Sequence, residues 1–180
     1  YPLRRQRQMC IRDSSSGCLV ADTGHYVVGE GAKNQIPCPV TTYQPLTGQT
    51  SCDDVEAGYY TGVSGSSNQI PCEPGSYQPM AKSTSCRDSP AGHYVQDSAA
   101  TEFVACVAGT YQPMSASTSC LQADEGHFVD SSSQLSQTAC QKGTYQPNTG
   151  SIECLLADRG HFVDTTCLLY TSDAADEEDS

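Results

Sequence analysis

Nine cysteines, Cys18, Cys38, Cys52, Cys72, Cys86, Cys106, Cys120, Cys140 and Cys154, are separated by alternate long and short steps, twenty then fourteen, without a slip. One long and one short step make a repeat of thirty-four, with copies at 18–51, 52–85, 86–119 and 120–153 and a partial copy at 154–166. Repetition on this scale predicts an array in which each copy packs on its neighbours instead of contributing to one shared core. Helical solenoids have a similar period, but the segments between cysteines are rich in Gly, Ser, Thr and Pro. The large apolar side chains Leu, Ile, Val, Phe and Met occur in pairs at most there, so no helical face can be drawn.

A finer period lies inside the first. Gly24, Thr41, Gly58, Gly75, Gly92, Gly109, Gly126, Gly143 and Gly160 are spaced evenly at seventeen, half the repeat. Each leads, two residues later, to an aromatic: Tyr26, Tyr43, Tyr60, Tyr77, Tyr94, Tyr111, Phe128, Tyr145 and Phe162. Glycine at eight of nine leading positions predicts positive φ or a close backbone approach before a short strand; Thr41 weakens the strict positive-φ version. Each half-repeat has room for two short strands and a turn, with turn chemistry such as Pro147-Asn148-Thr149-Gly150. The aromatic sits on the first strand, and the proline of Tyr-Gln-Pro limits that strand because it has no amide hydrogen for a ladder.

Two kinds of half-repeat alternate. One reads like Gly92-His93-Tyr94-Val95; the other reads like Gly109-Thr110-Tyr111-Gln112-Pro113 and holds cysteines three residues before its leading position and eleven after. In the first kind those two places are taken by Ala21 and Gln35, Val55 and Gln69, Ser89 and Phe103, or Ala123 and Gln137. The two cysteines are present together or absent together. If the halves arose by duplication, that joint loss favours the pairs Cys38–Cys52, Cys72–Cys86, Cys106–Cys120 and Cys140–Cys154, leaving Cys18 unpaired. Pairing across the longer spacing would instead orphan Cys154. Loop entropy does not choose, since either loop gives about 3 kcal/mol in the chain-entropy model. A disulfide with an aromatic ring beside it is the expected local core.

Composition explains why the cysteines are needed. Between residues 15 and 166, Leu, Ile, Val and Phe number 23, too few for a conventional core in a chain of this charge. Cross-links replace the missing apolar burial and imply an oxidising compartment, extracellular or at the cell surface. Five Lys and Arg against fifteen Asp and Glu in the same stretch argue against nucleic acid or an anionic membrane surface as partner, and no direct membrane insertion is expected of this stretch. Structural zinc needs close cysteine pairs, which the spacing lacks.

The two ends share nothing with the repeat. RRQRQMCIRDS, from Arg4 to Ser14, resembles a translated transposase-type sequencing adaptor, and CLLYTSDAADE, from Cys167 to Glu177, resembles the reverse complement of the same adaptor. Residues 1–14 and 167–180 are therefore expected to be foreign and disordered, and Cys10 and Cys167 are left out of the disulfide framework. On this reading the authentic chain, residues 15–166, is a fragment of a longer protein.

The C-x2-G-[TS]-Y-x8-C pattern at Cys72, Cys106 and Cys140 resembles the cysteine-rich repeats of ephrin-receptor-like and TNF-receptor-like extracellular regions. The resemblance covers residues 18 to 166. It implies an elongated β/coil stack of small disulfide-rich modules and supports pairing across the shorter spacing. Tandem arrays in large microbial surface proteins are similar in the constancy of their repeat length. A stacked β-solenoid with a continuous internal aromatic ladder is the structural alternative.

No motif points to catalysis, so the chain is expected not to be an enzyme: nucleophile-elbow and phosphate-loop patterns are absent, and the cysteines lack redox spacing. No cofactor or metal is expected. His25, His93, His127 and His161 share one position, filled by Tyr59 in the remaining copy, and read as exposed side chains beside the aromatic and not as a metal ladder. Asp124, Glu125 and Asp130 lack calcium-loop spacing and read as a solvated acidic face. The leading functional expectation is a spacer or stalk of a secreted or surface protein, related to adhesion. Its partners would be neighbouring repeats and an unidentified protein or glycan. A receptor-type ligand-binding array is the alternative, with the divergent copy carrying Tyr59, Tyr60 and Val63 as the place to look.

Overall fold

The computed structural model describes residues 11–13 and 17–161. Among them every regular element is a β-strand, and each sheet has two strands. The expected β/coil architecture of tandem disulfide-bearing units is therefore what the chain adopts. The continuous ladder of a solenoid is not, because every sheet closes after one antiparallel pair.

The first pair is β1 (Ile11–Asp13) with β2 (Gly17–Leu19), in the register Ile11↔Leu19 and Asp13↔Gly17. β1 belongs to the stretch that shares nothing with the repeat in sequence. The Cys18 side chain, Phe162 and the segment 167–180 lie outside the described residues.

Eight hairpins follow, evenly spaced along the chain. They are β3 (His25–Tyr26) with β4 (Ile36–Pro37), β5 (Thr42–Tyr43) with β6 (Asp53–Asp54), β7 (Tyr59–Tyr60) with β8 (Ile70–Pro71), and β9 (Ser76–Tyr77) with β10 (Arg87–Asp88). The series continues with β11 (His93–Tyr94) and β12 (Val104–Ala105), β13 (Thr110–Tyr111) and β14 (Leu121–Gln122), β15 (His127–Phe128) and β16 (Thr138–Ala139), and β17 (Thr144–Tyr145) and β18 (Leu155–Leu156). Register does not drift: the aromatic faces the first residue of the returning strand in Tyr26↔Ile36, Tyr60↔Ile70, Tyr94↔Val104 and Tyr111↔Leu121. An aromatic opposite an aliphatic is a stabilising cross-strand pair, which gives the half-buried rings their packing partner.

The chain divides into two units, Tyr1–Arg87 with Asp97–Glu102 and Asp88–Gln96 with Phe103–Ser180. Within each, three families of main-chain hydrogen bonds recur at constant offsets. In the first unit, Gly24 N donates forward to Gln44 O and Gly58 N to Gln78 O, at 2.7 and 2.8 Å. Val27, Gln44, Thr61 and Gln78 donate forward to the carbonyls of Gln49, Ser66, Ser83 and Ala100. Gly48, Gly65, Lys82 and Ala99 donate backward to those of Ala21, Cys38, Val55 and Cys72. The second unit repeats these offsets at Gly92, Gly109 and Gly126, at Val95, Gln112 and Val129, and at Ala116, Ser133 and Gly150. Two-residue strands have little stability alone. Here the turn of one half-repeat supplies hydrogen-bond partners to the half-repeats before it.

The buried positions are as regular. Three residues before the leading position stand Ala21, Cys38, Val55, Cys72, Ser89, Cys106, Ala123 and Cys140, all buried. Three after it stand Val27, Gln44, Thr61, Gln78, Val95, Gln112, Val129 and Gln146, also buried. The interior is therefore a spine of small side chains, cystine sulfur and glutamine amides. The aromatics, expected beside the disulfides as core, are only half-buried on the hairpins.

Candidate functional site: the repeated clamps

Each leading residue occupies the third position of a tight turn. His25 N donates to Asp22 O, Tyr59 N to Glu56 O, His93 N to Pro90 O and His127 N to Asp124 O, at 3.1 to 3.2 Å. That place requires positive φ, which explains the glycines. Thr41 adopts it too, at φ 85°, so the positive-φ expectation holds even at the exception, and its N–H donates to Thr61 Oγ1 at 3.1 Å. A second constraint acts at four of the glycines. A Cβ on Gly24, Gly58, Gly92 or Gly109 would come within 2.1 to 2.4 Å of the carbonyl oxygen of Gly65, Ala99, Ser133 or Gly150, respectively.

Those carbonyls belong to a second positive-φ series that the sequence does not announce. Gly48, Gly65, Lys82, Ala99, Ala116, Ser133 and Gly150 lie seven residues after their leading positions and have φ between 56° and 76°. Four of the seven carry side chains, so residue type gave no signal there. Their N–H groups make the backward hydrogen bonds described above, and the surrounding structure holds the left-handed conformation against its intrinsic cost.

The residue after the leading position clips the turn. In the disulfide-bearing halves, Thr42, Ser76, Thr110 and Thr144 donate a hydroxyl to the carbonyl three residues back, at 2.7 to 2.8 Å. In the other halves His25, His93 and His127 donate Nδ1–H to the carbonyl two residues back, each at 3.1 Å. A carbonyl only accepts, so this contact fixes the tautomer. The shared histidine position is accordingly a turn clip. No group of three or more His, Cys, Asp or Glu side chains converges among the described residues.

The disulfides are Cys38–Cys52, Cys72–Cys86, Cys106–Cys120 and Cys140–Cys154, with Cα–Cα distances of 5.7 to 5.8 Å. In each bond the first cysteine belongs to the buried spine and the second is half-buried. Inside each loop the glutamine of Tyr-Gln-Pro makes a second closure. Its Nε2 donates to Ser51, Ser85, Ser119 or Glu153 O at 2.7 to 2.9 Å, just before the second cysteine. Its Oε1 accepts from Leu46, Met80, Met114 or Asn148 N at 3.0 to 3.2 Å. These glutamines were missed as structural residues because a polar side chain reads as exposed. Their recurrence in every Tyr-Gln-Pro was the available signal.

Halves without a cystine close the same loop differently. Gln35, Gln69 and Gln137 stand where the second cysteine would be. Each accepts from the backbone N–H of an acidic residue and donates back to its carboxylate: Asp22 at 2.8 Å both ways, Glu56 at 2.9 and 3.0 Å, Asp124 at 2.6 Å both ways. In the remaining copy the acid's place is Pro90, which has neither group. Gln is replaced there by Phe103, whose ring meets His93 edge-on at 4.7 Å. Asp124, considered above as part of an acidic face, is thus one arm of a clamp.

Partial burial, then the Glu56 and Asp53 carboxylates and Tyr59, hold the Tyr43 hydroxyl above the usual tyrosine range. Asp53 is the direct cross-strand partner of Tyr43. No protein-family model matches the chain, and no characterised protein gives a significant match.

Proposed function

We propose that the chain is a segment of a structural spacer, part of a secreted or cell-surface stalk that holds an adhesive or binding domain away from its anchor. The carrying observation is the sameness of the joins: within both units the half-repeats meet through the same three families of main-chain hydrogen bonds, at unchanging offsets. A spacer needs a join that can be repeated without change, and joins built from backbone and glycine tolerate variation in the exposed side chains. Four structural disulfides suit an oxidising, extracellular setting. No helix of the described residues is long and apolar enough to cross a membrane.

The test is to insert one, two and three further copies of residues 86–119 in frame and measure the maximum dimension by small-angle X-ray scattering. A spacer gains the same length with each copy. Increments that shrink with copy number, as in a globule, would refute the reading.

A ligand-binding array is the second reading. It is favoured by one local observation: the copy that places Tyr59 where the others have histidine also gathers Tyr43, Asp53 and Glu56 into a single acidic, aromatic neighbourhood.

A further inference from the structure

A surface groove of about 270 Å3 in the first unit is lined by Tyr60, Ile70, Pro71, Glu73, Ser76 and Ser85. Its walls are fixed by elements already described. Tyr60 and Ile70 are cross-strand partners, and Ile70 remains 47% exposed. Glu73 follows buried Cys72, and its carbonyl accepts both the N–H and the hydroxyl of Ser76, at 3.0 and 2.8 Å. Ser85 precedes Cys86, and its carbonyl is held by Gln78 at 2.7 Å. The Cys72–Cys86 bond ties the two sides together. The Glu73 side chain itself is exposed and makes no ion pair among the described residues.

Its equivalents in the other copies have different chemistry. The place of Glu73 is taken by Pro39, Val107 and Gln141, and that of Tyr60 by Tyr26, Tyr94 and Phe128. This junction alone joins a carboxylate to a tyrosine and two aliphatic side chains. In the last copy Glu153 takes the place of Ser85, but there the neighbours are Phe128, Thr138 and Ala139.

We propose that this groove binds a primary ammonium group on an aliphatic stem, the lysine side chain of a partner protein. Ile70 and Pro71 cover the methylenes, which in a lysine are long enough to lie along an apolar wall while the charged end stays in water. The Tyr60 ring offers a face that attracts a cation. Glu73 accepts a charge-assisted hydrogen bond from the ammonium. The excess of fifteen Asp and Glu over five Lys and Arg in residues 15–166 favours approach of a basic partner. Neutral ligands use only the walls and gain nothing from Glu73.

The experiment titrates the full chain, isotope-labelled, with Nα-acetyl-lysine N-methylamide while following the NMR signals of Ile70, Glu73 and Ser76. Two control ligands are Nα-acetyl-norleucine N-methylamide, which keeps a linear aliphatic stem without the ammonium, and methyl glucoside. The proposal expects saturable shifts with the lysine derivative at these residues, binding about tenfold weaker in Glu73→Gln, and unchanged binding in Glu30→Gln, which lies outside the groove. Equal response to the norleucine derivative, preferential response to the glucoside, or an unaltered Glu73→Gln would each overturn it. A Glu73→Gln chain that keeps its hydrogen-exchange pattern makes the loss attributable to the carboxylate.

Discussion

Gln35 and Asp22 hold each other across their loop through two hydrogen bonds of 2.8 Å, in a half-repeat that has no disulfide. In the next half-repeat Cys52 stands where Gln35 stands, eleven residues after the leading position, and is bonded to Cys38. One loop is therefore closed covalently and its neighbour by a side-chain amide gripping an acidic residue at both backbone and carboxylate. The alternation of long and short cysteine spacings is the outward sign of two solutions to one closure.

If the two closures are equivalent, one should convert into the other. Replacing Val55 and Gln69 together by cysteine is expected to give one further bond, read as the loss of two hydrogens by mass. A loop of about fifteen residues contributes about 3 kcal/mol, against about 1 to 2 kcal/mol for the lost clamp. A rise in the denaturation midpoint under oxidising conditions, reversed by reductant, is the expected outcome. Two free thiols that persist under mild oxidation would show that the positions are not equivalent.

The leading glycines separate two causes that usually coincide. Gly92 has φ 78° and would bring a Cβ within 2.4 Å of Ser133 O, whereas Gly143 has φ 82° with nothing within 4 Å. Gly143→Ala should therefore cost only the left-handed penalty, about 1 to 2 kcal/mol. Gly92→Ala should cost that and a backbone displacement besides, lowering the hydrogen-exchange protection of the Ser133 amide, which bonds to Cys106 O. Equal costs for the two substitutions would mean that the close approach is unimportant.

The repeat, its two halves and the need for positive φ at the leading position were legible because each depends on a residue type that few others can replace. What was hidden depends on context. Ala99, Ala116 and Ser133 hold left-handed conformations that nothing in their residue type requires, because neighbouring half-repeats impose them. Gln44, Gln78, Gln112 and Gln146 are buried although polar, because each amide satisfies backbone groups on both sides of its loop. The aromatics are the residues whose size suggests core. On two-residue strands, however, a ring can pack across its hairpin and still stay half-exposed.

Those glutamines should be costly to remove. Gln112→Leu keeps approximate volume but leaves Ser119 O and Met114 N without their partners. Unmatched part-buried backbone groups cost up to about 1 to 3 kcal/mol each, so a loss of about 2 to 6 kcal/mol is expected, with the largest rise in exchange at the Met114 amide. The disulfide Cys106–Cys120 would remain intact, keeping the loop closed while its interior loosens. A Gln112→Leu chain as stable as the parent would show that water satisfies these groups and that the burial of Gln112 is incidental.

Tyr43 is expected to make the stability of the chain fall at alkaline pH. Its hydroxyl is held above the usual tyrosine range, chiefly by partial burial and then by the Glu56 and Asp53 carboxylates. A raised value means that the folded chain holds the phenolic proton more tightly than the unfolded chain does. The contribution is thus complete below the ordinary tyrosine value of about 10 and is lost as pH rises through the folded-state value. Tyr43→Phe keeps the ring opposite Asp53 and removes the proton, so its urea midpoint should fall less between pH 9 and pH 11 than that of the parent chain. Asp53→Asn should give a smaller change in the same direction, because one carboxylate is removed while burial and Glu56 remain. Parallel midpoint curves for the parent and Tyr43→Phe would place the alkaline sensitivity at other tyrosines.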